Sequence, residues 1–286
     1  MIPAQFDYVR VGTVDEAVAA LAEHGDEAKV LGGGQSLIPL MRLRLAYPEV
    51  LVDVGRVEEM IGIREDGDRL VIGAATTHDA VHKDALVATH CPVLAEVVAT
   101  IGDPQVRHRG TFGGSLAHAD PAGDLPAAAL ALDAVMHVAG PGGRRDIAAA
   151  DFFVDYLQTT LAPDEVLVAV SVPKYGTEWG HRYVKFGRVA QAWALVGSVA
   201  VVRRQNGSIA EARVGLTNMG STPVRARNVE EALAGADATR EAVRAATERA
   251  AEGTRPSSDL HAQAEFREHL ARVLTARAVT SAAGLD

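Results

Sequence analysis

Cysteine is nearly absent: Cys91 is the one thiol among 286 residues. No disulfide forms within the chain, and no four-cysteine iron–sulfur cluster can be assembled from it alone. A lone cysteine suits a reducing compartment. Long apolar runs are missing too, none nearing the roughly 20 residues that cross a bilayer. The amino-terminal stretch Met1-Ile2-Pro3-Ala4-Gln5-Phe6 has no basic region followed by an apolar core, so it does not read as a signal peptide. A cytoplasmic protein without a membrane span is expected, reaching a membrane only through a complex. Positive charge is in the minority. The 28 Lys and Arg against 37 Asp and Glu leave a formal net charge of −9, which argues against nucleic acid as a partner.

Familiar catalytic and phosphate-binding signatures are also lacking. There is no P-loop, no Gly-x-Gly-x-x-Gly turn opening a long helix, and no Gly-x-Ser-x-Gly elbow. His78 and His82 stand at i, i+4, and His118-x-Asp120 adds a further pair, but these read as hydrogen-bonding helix and loop residues. No metal is expected on this chain.

Two glycine-rich segments stand out instead. Gly32-Gly33-Gly34-Gln35-Ser36 follows the short apolar stretch Ala28-Lys29-Val30-Leu31. Thr111-Phe112-Gly113-Gly114-Ser115 leads into His118-Ala119-Asp120-Pro121-Ala122-Gly123-Asp124-Leu125-Pro126. Without Cβ atoms, backbone N–H groups can approach an anion closely. A lone Gly-Gly-Gly also makes a tight surface turn. Two such loops together point to one diphosphate held from both sides, and so to a nucleotide cofactor.

The text from Val30 to Arg44, Val-Leu-Gly-Gly-Gly-Gln-Ser-Leu-Ile-Pro-Leu-Met-Arg-Leu-Arg, resembles the first flavin-binding segment of the molybdenum hydroxylases. Asp103-Pro-Gln-Val-Arg-His-Arg-Gly-Thr-Phe-Gly-Gly-Ser115 resembles their second segment, with Asp120-Pro-Ala-Gly-Asp-Leu-Pro126 as its continuation. The chain is similar over its whole length to the medium, flavoprotein subunits of the carbon monoxide dehydrogenase and xanthine dehydrogenase group. The resemblance implies an α+β fold: a two-subdomain FAD-binding domain of the vanillyl-alcohol-oxidase (PCMH) type, then a C-terminal α+β domain with a small antiparallel sheet and helices. The expected divisions are 1–56, 57–173 and 174–286. It implies FAD contacts from Lys29, Val30, Leu31, Gly32, Gly33, Gly34, Gln35, Ser36 and Leu37 on one side, and from Thr111, Phe112, Gly113, Gly114 and Ser115 on the other. Ile101, Asp124, Leu167 and Lys185 complete the set.

Each of the outlying positions also has an ordinary reading. Asp124 could cap the Ala-rich helix that follows it, Lys185 could be a solvated strand lysine, and Ile101 could be core. Trp193 could shield a flavin face or pack in a core or interface. Phe112, where a β-branched residue is common, is expected to narrow the space beside the ring system. The implied role is electron transfer within an oxidoreductase, a heterotrimer often dimerised. A small partner subunit would carry [2Fe–2S] clusters and a large one molybdenum–pterin. A stand-alone flavin reductase of the same fold and a degenerate scaffold subunit are the competing readings.

Patterning supplies the elements. Thr13-Val14-Asp15-Glu16 is a capping box, and Val14, Ala17, Val18 and Leu21 share a helical face ended by Gly25. Strands are expected at 28–31, 50–54, 62–65, 69–72, 135–138, 144–147, 166–172, 182–186, 195–203 and 209–217. Helices are expected at 38–45, around His78 and His82, from 92 or 93 to 101, and at 122–132, 229–233, 239–252 and 263–279. In the last, Phe266, Leu270, Val273 and Leu274 would form the buried face, with Arg277 at its edge.

Overall fold

The computed structural model describes residues 2–286, and the chain runs through three main sheets in turn. The first is parallel. β1 (Asp7–Arg10), β2 (Ala28–Leu31) and β3 (Val50–Asp53) lie in the order β1-β3-β2. Helix α1 (Val14–His24) crosses from β1 to β2. Thr13 Oγ1 accepts from the Glu16 N–H at 3.1 Å, while Glu16 Oε2 reaches back to the Gly12 N–H at 2.7 Å. The capping box therefore closes one residue earlier than its usual form. Val14, Ala17 and Leu21 are buried, and Gly25 ends the helix at a φ of 54°. Helix α2 (Leu37–Arg42) follows the first glycine segment and stops short of the expected Leu45.

The second sheet is antiparallel. β4 (Ile63–Asp66), β5 (Arg69–Gly73), β6 (Val135–Gly140), β7 (Gly143–Ala148) and β10 (Val166–Pro173) take the order β4-β5-β10-β6-β7. Residues 166–172 of central β10 are all buried, as its unbroken apolar text requires. Between β5 and β6 run α3 (His78–Lys83), α4 (Ala85–His90), α5 (Pro92–Ala99), α6 (Pro104–Arg109), α7 (Phe112–His118) and α8 (Asp124–Ala131). The short α9 (Ala149–Phe152) leads into a small hairpin, β8 (Phe153–Asp155) and β9 (Gln158–Thr159).

The third sheet, β11 (Trp179–Phe186), β12 (Val196–Gln205), β13 (Ser208–Thr217) and β14 (Val224–Arg225), is antiparallel in sequence order. Both of its faces are buried. Tyr183, Val199 and Val201 join the core of the first two sheets. Val196, Ala200 and Val202 join a separate core closed by α10 (Arg227–Leu233), α11 (Arg240–Thr247) and α12 (Ala264–Ala282). That split follows the two-residue period of a strand.

Three expectations change. The Thr-x-Gly-Gly-Ser segment is not a loop: Thr111 caps α7, accepting from the Gly114 N–H at 3.2 Å. Helices α4 and α6 and the β8–β9 hairpin were not foreseen. The buried face of α12 is turned from the expected one. Arg267 is 1% exposed and Phe266 is 44% exposed, with Arg277 on the surface. Arg267 earns its interior position by donating Nη1 to the Leu195 carbonyl at 2.6 Å and Nη2 to Asp259 at 2.7 Å.

Candidate functional site

A cleft of about 660 Å³ opens among the three sheets. Residues 29–37, Ile101, Thr111, Gly113, Gly114, Ser115, Asp124, Leu167 and Lys185 all line it. Of the sequence-predicted set only Phe112 does not. Its side chain is 1% exposed within the main core, so it cannot narrow space beside a ligand. The first turn of α7 turns the Phe112 side chain inward while its glycines line the cleft.

The two glycine segments meet directly. A Cβ built on Gly33 would stand 2.0 Å from the Arg109 carbonyl oxygen, and one on Gly32 would stand 2.9 Å from Thr111 Oγ1. Only glycine at 33 lets the backbones approach this closely. Their N–H groups differ in a way the sequence did not reveal. In the second segment Phe112 N donates to Thr76 O, Gly113 N to Ala74 O, Gly114 N to Thr111 Oγ1 and Ser115 N to Thr111 O. In the first, the N–H groups of Gly33, Gly34, Gln35, Ser36 and Leu37 make no hydrogen bond among the described residues. A row of uncommitted backbone donors along a cleft suits an anion with several oxygens. The expectation of amides from both sides is therefore corrected: the first segment offers the donors and the second shapes the opposite wall.

At another part of the cleft lies a charged cluster. Asp124 is 4% exposed. Its Oδ2 accepts from Lys185 Nζ at 2.8 Å and its Oδ1 from the Tyr183 hydroxyl at 2.5 Å. Lys185 Nζ also donates to the Thr100 carbonyl at 3.2 Å. Asp124 is not a cap: Gly123 occupies the N-cap of α8 and Asp124 the first helical position. Lys185 is mostly buried rather than solvated. Burial pushes the Asp124 carboxyl above its usual range, opposed by Lys185 and then by the Tyr183 phenol. Burial and the neighbouring Asp124 charge push the Tyr183 phenol well up.

Several lining residues were not singled out as cofactor contacts. His78 is pushed down to about 4 by burial, aided by the Arg107 charge, and its Nδ1 is buried without a partner. His118, 3.9 Å from Asp120, is lowered by burial and held up in part by that carboxylate. His78 and His82 share no ligand: His82 Nδ1 meets the Ala95 carbonyl at 3.2 Å. Among the described residues no group of three His, Cys, Asp or Glu is placed to hold a metal ion. Thr159, at the end of the unforeseen hairpin, and Leu161 and Glu165 just after it line the cleft, a placement no local pattern announced. Trp193 stands at the cleft and is 56% exposed, so it is not core.

Comparison with known proteins identifies the family. Residues 4–175 match the family model described as FAD binding domain in molybdopterin dehydrogenase, and residues 181–282 that of the CO dehydrogenase flavoprotein C-terminal domain. The carbon monoxide dehydrogenase medium chain of Hydrogenophaga pseudoflava is 39% identical, covering 99% of this chain and 98% of the relative. The nicotine 6-hydroxylase medium subunit of Paenarthrobacter nicotinovorans is 34% identical, covering 96% of each. A solved carbon monoxide dehydrogenase from Hydrogenophaga pseudoflava, which lacks the Mo-pyranopterin moiety of its cofactor, superposes with a TM-score of 0.97 at 41% identity. It covers 100% of this chain and 99% of that one. The chain belongs to the FAD-binding medium-subunit family of the molybdenum hydroxylases, and is the flavoprotein subunit of a molybdenum-dependent oxidoreductase. Neither a stand-alone flavin reductase nor a degenerate scaffold is favoured beside matches of this length.

Proposed function

We propose that this chain takes electrons from [2Fe–2S] clusters of a small partner subunit and passes them to an external acceptor through FAD held in the cleft. A large partner carrying molybdenum–pterin would oxidise the substrate. The observation that carries this reading is the row of uncommitted N–H groups from Gly33 to Leu37 in a cleft whose size is typical of cofactor sites. FAD supplies the chemistry of accepting electrons singly and releasing them singly or in pairs. The chain supplies the rest. Gly33 to Leu37 would hold the diphosphate, with the Ser36 and Ser115 hydroxyls as further donors. Lys29, Val30, Leu31 and Gly32 would line the same side, and Thr111, Gly113 and Gly114 the opposite wall. Ile101 and Leu167 give apolar contact. Asp124 and Lys185 would set the charge beside the ring that receives electrons.

Cys91 is fully buried and its thiol is pushed up to about 12 by burial, which suits a packed side chain rather than a cluster ligand. Among the described residues no helix is long and apolar enough to cross a membrane. The proposed setting is the cytoplasm, in a dimer of heterotrimers. The divisions 1–56, 57–173 and 174–286 are the proposed subdomains, each holding one of the main sheets. Mixing the FAD-loaded chain with a reduced iron–sulfur subunit in a stopped-flow instrument tests the role. The visible absorbance of the oxidised flavin should bleach as the clusters reoxidise. Clusters that stay reduced beside an oxidised flavin would remove the electron-transfer assignment.

A further inference from the structure

Tyr183 belongs to the charged cluster without lining the cleft. It lies two residues before Lys185 on β11, so both side chains leave the same strand face. In the sheet register Lys185 is opposite Gly197 on β12, and Gly197 is opposite Thr217 on β13. The phenol leans diagonally across that row. A Cβ on Gly197 would stand 2.5 Å from Tyr183 Oη and 3.2 Å from Thr217 Cβ, so the missing side chain is the space the hydroxyl occupies. The buried Thr217 hydroxyl, with no hydrogen-bond partner of its own, adjoins the same phenol. Asp124 thus has one oxygen bound by Tyr183 and the other by Lys185.

We propose that Tyr183 is a positioning residue for the flavin site: its O–H, seated in the gap left by Gly197, keeps Asp124 an ionised carboxylate paired with Lys185. The inference rests on the reading of this cleft as the FAD site. The argument is electrostatic. Burial favours the neutral acid at Asp124, and two donors favour the carboxylate. With Tyr183 removed, one donor remains. Once Asp124 takes up a proton, the Asp124–Lys185 pair goes from neutral to a net positive charge. A positive charge beside a group gaining electrons favours its reduced form.

Other charges around Asp124 are few. Lys185 and Tyr183 face it from β11, and β12 and β13 bring the uncharged Gly197 and Thr217 beside the phenol. His118 and Asp120 lie at the end of α7. Glu96 on α5 is engaged elsewhere, accepting from the Tyr183 backbone N–H at 2.8 Å and lying 3.5 Å from His181 and 3.9 Å from Arg182. Asp133, beyond the far end of α8, is bound to Arg213 and Arg225.

The test compares wild type, Y183F, D124N and the double variant in the full chain assembled with its partner subunits. It reads the FAD dissociation constant, the flavin midpoint potential from about pH 6 to 9, and the thermal unfolding of each. Y183F should move the flavin potential more than the FAD dissociation constant, because Tyr183 touches Asp124 and not the cleft. It should also add an inflection to the potential–pH curve, with the potential raised on the acid side. D124N should raise the potential across the range, and Y183F should add nothing once Asp124 is Asn. G197A, which displaces the same hydroxyl from the neighbouring strand, should reproduce the acid-side rise. A Y183F curve superimposed on wild type, or an effect that adds in full to D124N, makes Tyr183 a packing residue only. If D124N itself leaves both affinity and potential at wild-type values, the assignment of the cleft is what fails.

Discussion

His78 is 3% exposed, and a Cβ on Gly110 would come within 2.9 Å of its ring. Its pKa falls from 6.5 to about 4 because burial penalises the imidazolium, with Arg107 adding to the effect. The unfolded chain therefore binds the proton more readily than the folded one. Stability from this group is complete above about pH 6.5 and is lost as pH falls from there toward 4, by about 3 kcal/mol in all. Urea unfolding of H78Q at stepped pH should show a flatter acid limb over that window; a limb parallel to wild type would remove His78 from the acid response. Phe112 makes the complementary point. Placed in the core rather than in the cleft, F112A should cost about 3–5 kcal/mol. The folded protein should nonetheless keep its FAD affinity. A loss of affinity with little change in urea midpoint would return Phe112 to the site.

Elements were most legible where a local pattern decides them. The α1 cap and face, the β4–β5 hairpin and the apolar text of β10 needed no tertiary information. Legibility failed where a distant partner decides. In α12 an apolar reading discounts Arg267, yet that guanidinium is taken inside because the Leu195 carbonyl and Asp259 await it. R267A leaves the buried carbonyl without a donor and should lower stability by about 1–3 kcal/mol, read by thermal or chemical unfolding. An unchanged midpoint would mean the loop at Asp259 satisfies itself. Composition alone presents the second glycine segment as an anion loop. Thr76, Ala74 and Thr111 take its amides, and Ala74 and Thr76 lie more than thirty residues upstream.

Across the whole molecule, the site is assembled from all three sheets. The first brings the free amides, α7 and β10 the facing walls, and β11 the lysine. All the positions that family likeness named except Phe112 line the cleft, because two long ordered motifs anchor the register of the rest, while much of the remaining lining lies outside those motifs. Tyr183 went unnoticed because its importance comes from Gly197 and Thr217, partners visible only once β11, β12 and β13 are paired. Thr159 and Glu165 were hidden for a similar reason: a hairpin carries them to the cleft from outside both motifs. The measurement that tests the central claim most directly is the flavin content of the purified full chain, with the chromophore released by heat and identified by chromatography. One FAD per chain is the predicted result. FMN in its place, or no flavin taken up even with both partner subunits present, would contradict a dinucleotide held along Gly33 to Leu37.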